Sequence, residues 1–217
     1  APTGIGKTMS AIFPAVRAVG QGKGETVFYL TARTITRTVA EDAFSILRGK
    51  GLHFKSITIT AKEKMCFCDE MDCDPQKCPY AKGHYDRIND AVYELWTKEE
   101  AFDRETILAQ AEKYSVCPFE ITLDLAVWMD GIVCDYNYVF DPNVYLKRFF
   151  GENIKGKYLF LIDEAHNLVD RGREMYSASL CKEEIESTRR FVRAHSSRLY
   201  RMLGKAAKQL EVLKEES

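Results

Sequence analysis

The opening residues, APTGIGKT, set two glycines, a lysine and a threonine at the spacing of a loop that wraps phosphate. Gly4 and Gly6 free the backbone, so that Thr3, Gly4, Ile5 and Gly6 can turn N–H groups toward phosphate oxygens. Lys7 is placed to reach the β- and γ-phosphates of ATP, and Thr8 to offer its hydroxyl to Mg²⁺. Far downstream, YLFLIDEAH puts Asp163 and Glu164 directly behind an apolar run, at the end of a buried strand where open α/β sheets take ligands. Asp163 suits a Mg²⁺ held through its water shell, and Glu164 suits orienting or deprotonating an attacking water. A glycine turn or a solvated acidic strand end would explain either stretch alone. The pair describes a nucleotide-hydrolysing core.

A second chemistry lies between them. KMCFCDEMDCDPQKCPY crowds four cysteines together, and a fifth follows in SVCPFE. The spacing Cys66-x6-Cys73-x4-Cys78-x38-Cys117 lacks the paired C-x2-C knuckles common in structural zinc sites. Soft thiolates select zinc or an iron–sulfur cluster over hard cations, and spacing alone leaves both open, beside inert buried thiols. Cys68 stands two residues from Cys66, and in an extended turn the two side chains point oppositely, so one of them is expected to be spare. Cys134, in IVCDY, reads as a buried strand cysteine. Cys181 stands alone, and His84 reads as a surface histidine.

These residues sit in a chain of 217 with net charge −1, 46% hydrophobic and 12% aromatic, which supports a packed core and no global basic field. Any contact with nucleic acid must therefore be local. No apolar run is long enough for a membrane span and no leader precedes the first motif, so no membrane partner is expected. Seven cysteines, an odd number, point to a reducing compartment, read here as the cytoplasm. The phosphate loop has no strand ahead of it, which reads as a domain whose first strand lies outside the sequence.

The elements that must position this chemistry alternate. KTMSAIFPAVRAV suits a helix, with Pro14 placed to kink it; TVFYL is a buried strand; TRTVAEDAFSIL is helical; KSITIT is another strand. Residues 61–128 then show cysteines and helical stretches with no strand-like run, before strands return at GIVCDY and KYLFLIDEAH. That order predicts an α/β parallel sheet over 1–60 and 129–177, interrupted by an insert at 61–128, with a charged helical segment over 178–217.

Phosphate loop, cysteine insert and LIDEAHNL, together with FYLTARTITRTVAEDA, VCPFE and CDYNYVFDP, resemble the iron–sulfur superfamily 2 DNA helicases of the XPD and DinG type across essentially the whole chain. The resemblance implies a RecA-like first motor domain, a [4Fe–4S] cluster on Cys66, Cys73, Cys78 and Cys117, and the start of an arch-like helical domain from about residue 178. It also implies ATP-driven movement on single-stranded DNA, typically 5′ to 3′, with unwinding of forks in DNA repair, and a second motor domain absent from this sequence. The tight DCDPQKC spacing departs from some members, so Cys68 can stand in for Cys66. By itself this piece is expected to turn over little ATP. The alternatives are a zinc-stabilised nucleic-acid-dependent ATPase without unwinding and a nucleotide-switched DNA-binding module.

For DNA, Thr31, Arg33, Thr34 and Arg37 follow a strand and open a helix, an arrangement suited to phosphates. Tyr136 and Tyr138, flanking Asn137, could line a base-stacking channel or pack in the core. Arg189, Arg190, Arg193, Arg198, Arg201, Lys205 and Lys208 give the tail a locally basic surface able to face a DNA backbone, although a solvated helix exterior is the commoner reason for such a run.

Overall fold

The computed structural model describes residues 5–215. The chain divides into two compact units, Ala1–Met175 and Tyr176–Ser217. The first contains α1 (Ile5–Gly20), β1 (Thr26–Leu30), α2 (Thr34–Arg48), β2 (Ser56–Thr58), α3 (Lys62–Met65), α4 (His84–Lys98) and β3 (Ala101–Phe102). It continues with α5 (Arg104–Tyr114), α6 (Pro118–Ala126), β4 (Gly131–Cys134), α7 (Asn137–Phe140), α8 (Lys147–Phe150), β5 (Tyr158–Ile162) and α9 (Leu168–Met175).

The described strands form one parallel sheet in the order β3-β2-β4-β1-β5. β1, with all five residues buried, is flanked by β4 and β5, as an apolar TVFYL run requires in a sheet covered on both faces. One face packs Ile12, Val16, Val27, Tyr29 and Phe44 beneath α1 and α2. The other packs Phe28, Ile57 and Ile132 with Ile88, Leu95, Ile107, Ile121 and Leu125 from α4 to α6. Phe28 is the hub of this second face, its ring 5.2–5.5 Å from those of Phe150, Phe149, Tyr158 and Phe160. At the start of β4, a Cβ on Gly131 would fall 2.6 Å from the Phe54 ring, so the strand reaches its place only with glycine there.

Two expectations change here. Residues 61–128 are not free of strand: Ala101 and Phe102 pair with Ser56 and Ile57 and lengthen the sheet. Asp103 then caps α5, its carboxylate accepting from the Thr106 N–H at 2.9 Å. A two-residue strand leaves no alternation to read. The helices of the segment pack into the same core as that face of the sheet. Pro14 lies on the exposed face of α1, and the helix runs across it unbroken.

The second unit is a hairpin of α10 (Lys182–Val192) and α11 (Ser197–Glu215), closed over Ile185 and Ala207. Within it the Arg189 guanidinium lies 4.4 Å from the centre of the Tyr200 ring, so this arginine is spent on holding the hairpin.

Candidate functional site

The carboxyl ends of β1 and β5 and the first turns of α1 enclose a crevice of about 310 Å³, lined by Lys7, Thr8, Tyr29 and Asp163 among others. The sheet ladder fixes its acidic side, with the Asp163 N–H donating to the Leu30 carbonyl at 2.9 Å. Two hydroxyls hold the strand end from behind, and a third braces one of them. Thr31 Oγ1 donates to Asp163 Oδ2 at 3.4 Å and contacts Thr36 Oγ1, while Tyr136 donates to the Asp163 carbonyl and lies 3.4 Å from that of Glu164. Glu164 takes the left-handed conformation (φ 48°, ψ 45°), which a residue with a Cβ enters at a cost and which turns the chain out of the strand. His166 Nδ1 stands 3.3 Å from its carboxylate. Tyr29, hydrogen-bonded to Thr8, has its hydroxyl pKa raised, first by burial and further by the Asp163 and Glu164 charges. A lysine, a hydroxyl and a carboxylate thus face one crevice beside a helix N-terminus, the donor set for a phosphate chain and its divalent cation. Thr3 and Gly4 lie outside the described residues, Ile5 enters only as the first residue of α1, and Gly6 follows it there.

The thiols meet in a different setting. Cys66, Cys68, Cys73, Cys78 and Cys117 all line one cavity of about 250 Å³ between the 66–83 loop and the start of α6. Cys66 and Cys68 do not diverge. Residues 67–70 bend instead of extending, so the alternation rule fails and both sulfurs face inward. Cys68 Sγ lies 4.0 Å from Cys78 Sγ, and desolvation with these sulfur neighbours pushes the Cys68 thiol up to about 11. Burial likewise raises Cys117. Cys134 is fully buried in β4, and its thiol is pushed up by desolvation. Among the described residues no group of three or more His, Cys, Asp or Glu closes to single-ion distance. A lone zinc requires four sulfurs about 2.3 Å from one point, whereas a polynuclear cluster takes thiolates spread around a cavity. Five thiols lining one cavity are a soft donor set of the kind that holds zinc or an iron–sulfur cluster.

Two cavity residues escape a reading by spacing. His84 is buried, not on the surface, and its Nδ1 accepts the Cys117 N–H at 3.3 Å, with burial lowering its pKa. Lys62 hydrogen-bonds Cys73, which raises the lysine pKa, and sits 5.7 Å from the centre of the Phe119 ring. A lysine four residues before the first cysteine was the available signal.

Lys62 and Phe119 also belong to the wall of a larger groove, about 720 Å³, carrying Arg37, Lys64, Lys147 and Arg148. Tyr138, its hydroxyl pKa pushed up to about 12 by burial, and Asn137 line the same groove. Asp135 ties it to the strand end: its carboxylate lies 3.7 Å from Arg37 and 3.3 Å from Arg171 of α9, which also reaches Asn137 Oδ1 at 3.0 Å. Of the residues expected to meet DNA, Arg37 and Tyr138 reach this groove and Arg33 is exposed ahead of α2. Thr31 and Tyr136 do not. They are 2% and 1% exposed, and their hydroxyls are committed to the Asp163–Glu164 turn.

A family model described as DEAD_2 matches residues 51–185. The Fanconi anemia group J protein homolog of Gallus gallus is 33% identical over 90 residues, 42% of this chain and 7% of that protein. The Regulator of telomere elongation helicase 1 homolog of Caenorhabditis briggsae is 28% identical over 118 residues, 51% of this chain and 12% of that protein. The chain thus spans a small part of the length of these relatives. A solved structure described as truncated XPD superimposes with a TM-score of 0.61 at 21% identity, covering 97% of this chain and 59% of that one, a likeness of fold.

Proposed function

The chain belongs to the DEAD_2 family, and from that premise we propose that it is the nucleotide-hydrolysing first motor domain of an ATP-dependent DNA helicase. The observation that carries this reading is the convergence of Lys7, Thr8 and Asp163 on one crevice at the sheet's carboxyl edge. Lys7 neutralises the β- and γ-phosphates of ATP, Thr8 and Asp163 hold Mg²⁺, and Glu164 orients the attacking water. Rate comes from positioning and electrostatics, since phosphoryl transfer asks little covalent chemistry of a protein.

Cys66, Cys73, Cys78 and Cys117 hold a [4Fe–4S] cluster in this proposal, within a functional insert at 61–128. When bound, the cluster ties the 66–83 loop to α6 through covalent Fe–S bonds. Single-stranded DNA follows the basic groove, with Arg37, Lys62 and Lys64 meeting phosphates and Tyr138 stacking against a base. Arg33 adds a contact ahead of α2. Residues 178–217 begin an arch-like domain. A second motor domain elsewhere in the full-length protein completes the engine, which moves 5′ to 3′, opens forks and serves DNA repair inside the cell.

Fluorescence anisotropy with labelled single-stranded DNA at several salt concentrations tests the groove. Replacing Lys62 and Lys64 by glutamate is expected to weaken binding at least tenfold and lower the salt slope by roughly 1.4, about 0.7 for each single-strand phosphate that is no longer neutralised. Unchanged affinity would remove the groove from the DNA path.

A further inference from the structure

Five thiols line the cavity and the proposed ligand set uses four of them, leaving out Cys68, which is not at the margin: its Sγ lies 4.0 Å from that of Cys78. The two sulfurs sit on opposite limbs of the 66–83 loop, and the adjoining Phe67 and Tyr80 rings, 4.9 Å apart, hold those limbs together. The limb carrying Cys68 bends without regular structure, whereas Cys78 is anchored by its N–H to the Asp74 carbonyl at 2.8 Å. A disulfide has an S–S length of about 2.05 Å, so bonding requires the bent limb to close by roughly 2 Å.

We propose that Cys68 and Cys78 form a redox pair that closes into a disulfide when the cavity is without its metal, with a hydroperoxide as oxidant. One thiolate attacks a peroxide oxygen, the O–O bond breaks, and a sulfenic acid and one water (or alcohol) result. The other thiolate attacks that sulfur, the S–S bond forms, the S–O bond breaks, and a second water leaves. The two thiols lose two electrons and two protons, and the peroxide gains both. Cys78, a cluster ligand in the proposed function, is thereby parked in a form that a thiol reductant restores, instead of passing to sulfinic or sulfonic acid. The inference rests on that reading for the ligand set, with Cys78 inside it and Cys68 outside; the sulfur pair itself is read from the geometry.

The test begins with the 217-residue chain, purified, stripped of metal by chelator under argon, reduced and desalted. It then receives one equivalent of hydrogen peroxide, is alkylated, and is mapped by peptide mass spectrometry. The expected product is a Cys68–Cys78 cross-linked peptide, lighter by two hydrogens. A Cys66→Ser chain retains that link. Given an excess of peroxide, since sulfinic acid consumes two equivalents per thiol and sulfonic acid three, a Cys68→Ser chain carries sulfinic and sulfonic acid at Cys78 and, after thiol reduction, takes up less iron and sulfide than the wild type treated alike. A scatter of pairings, a Cys66–Cys78 bond as the main product, or equal over-oxidation of Cys78 with and without Cys68 would each overturn the pair. The thiol map is independent of which metal the site prefers. A chain that takes zinc and no sulfide contradicts the proposed cluster while leaving the disulfide result readable.

Discussion

The crevice and the thiol cavity belong to one compact unit and are built in opposite ways. At the crevice, a hydrogen-bonded sheet carries Asp163 to its place, and the Tyr136 and Thr31 hydroxyls pin the turn that follows. At the thiol cavity, the loop from Cys66 to Gly83 is bends and turns, held by a few short-range bonds and one ring pair. The first is organised by the fold before any ligand arrives. Under the proposed function the second is organised by its ligand, whose coordination free energy stands in for a missing core. A change at the crevice should therefore remove chemistry and spare the fold, and a change at the thiols should loosen the fold nearby.

The largest expected effect breaks the cavity side. Cys117→Ser removes the thiol that, in the proposed function, joins the loop to α6 through the cluster. Cluster iron is expected to be lost outright, and amide exchange across residues 66–83 to rise by more than about tenfold, while β1 and β5 exchange as before. If exchange rose equally in the sheet, the two regions would not be separately organised. Next comes Lys7→Ala, whose side chain is exposed and outside the core. In the full-length protein ATP hydrolysis is expected to fall by roughly 10²–10³-fold, as for removal of a preorganised charge partner. The melting temperature should stay where it was, and a large drop would mean that the crevice also carries stability.

Some of this was legible in the sequence and some was not, for reasons that lie in particular residues. The apolar YLFLI run ahead of Asp163 and Glu164 reads directly, because a buried parallel strand needs little context beyond its own side chains. The opposite faces of Cys66 and Cys68 were read from an extended backbone that the loop does not adopt. His84 reads as a surface residue beside Gly83 and Tyr85; its burial comes from α6, more than thirty positions away, through the Cys117 N–H. Tyr136 offers an aromatic ring to any sequence-based search for DNA contacts. Only the fold shows that its hydroxyl points at the Asp163 carbonyl. Local pattern thus gave the strand ends, and long-range packing decided which neighbours they touch.

Two smaller predictions sharpen the comparison. Tyr136→Phe keeps the ring and deletes the hydroxyl beneath the Asp163–Glu164 turn, at a cost of about 0.5–1.5 kcal/mol in urea unfolding. Because the turn is fixed from behind by that hydroxyl, the variant should also bind Mg²⁺-nucleotide more weakly. Unaltered nucleotide affinity would show that Thr31 suffices. The smallest effect lies on α4, away from both sites. Lys113 and Lys98, with the Tyr114 hydroxyl and Gln110, hold the Glu94 carboxyl well below the usual carboxylate range. A folded-state pKa below the unfolded one gives stability that is present above the ordinary carboxylate value and lost as pH falls through the folded one. Glu94→Gln is therefore expected to flatten the acid limb of the stability curve and leave the neutral region nearly level, as exposed ion pairs contribute little.

The central claim is that four of these thiolates hold an iron–sulfur cluster beside a nucleotide crevice. The most direct measurement is the iron, acid-labile sulfide and zinc content of the chain purified without oxygen, with its visible absorption spectrum. About four irons and four sulfides per chain, as a [4Fe–4S] group requires, are expected, with broad thiolate-to-iron absorption and only trace zinc. Stoichiometric zinc without sulfide would contradict the account.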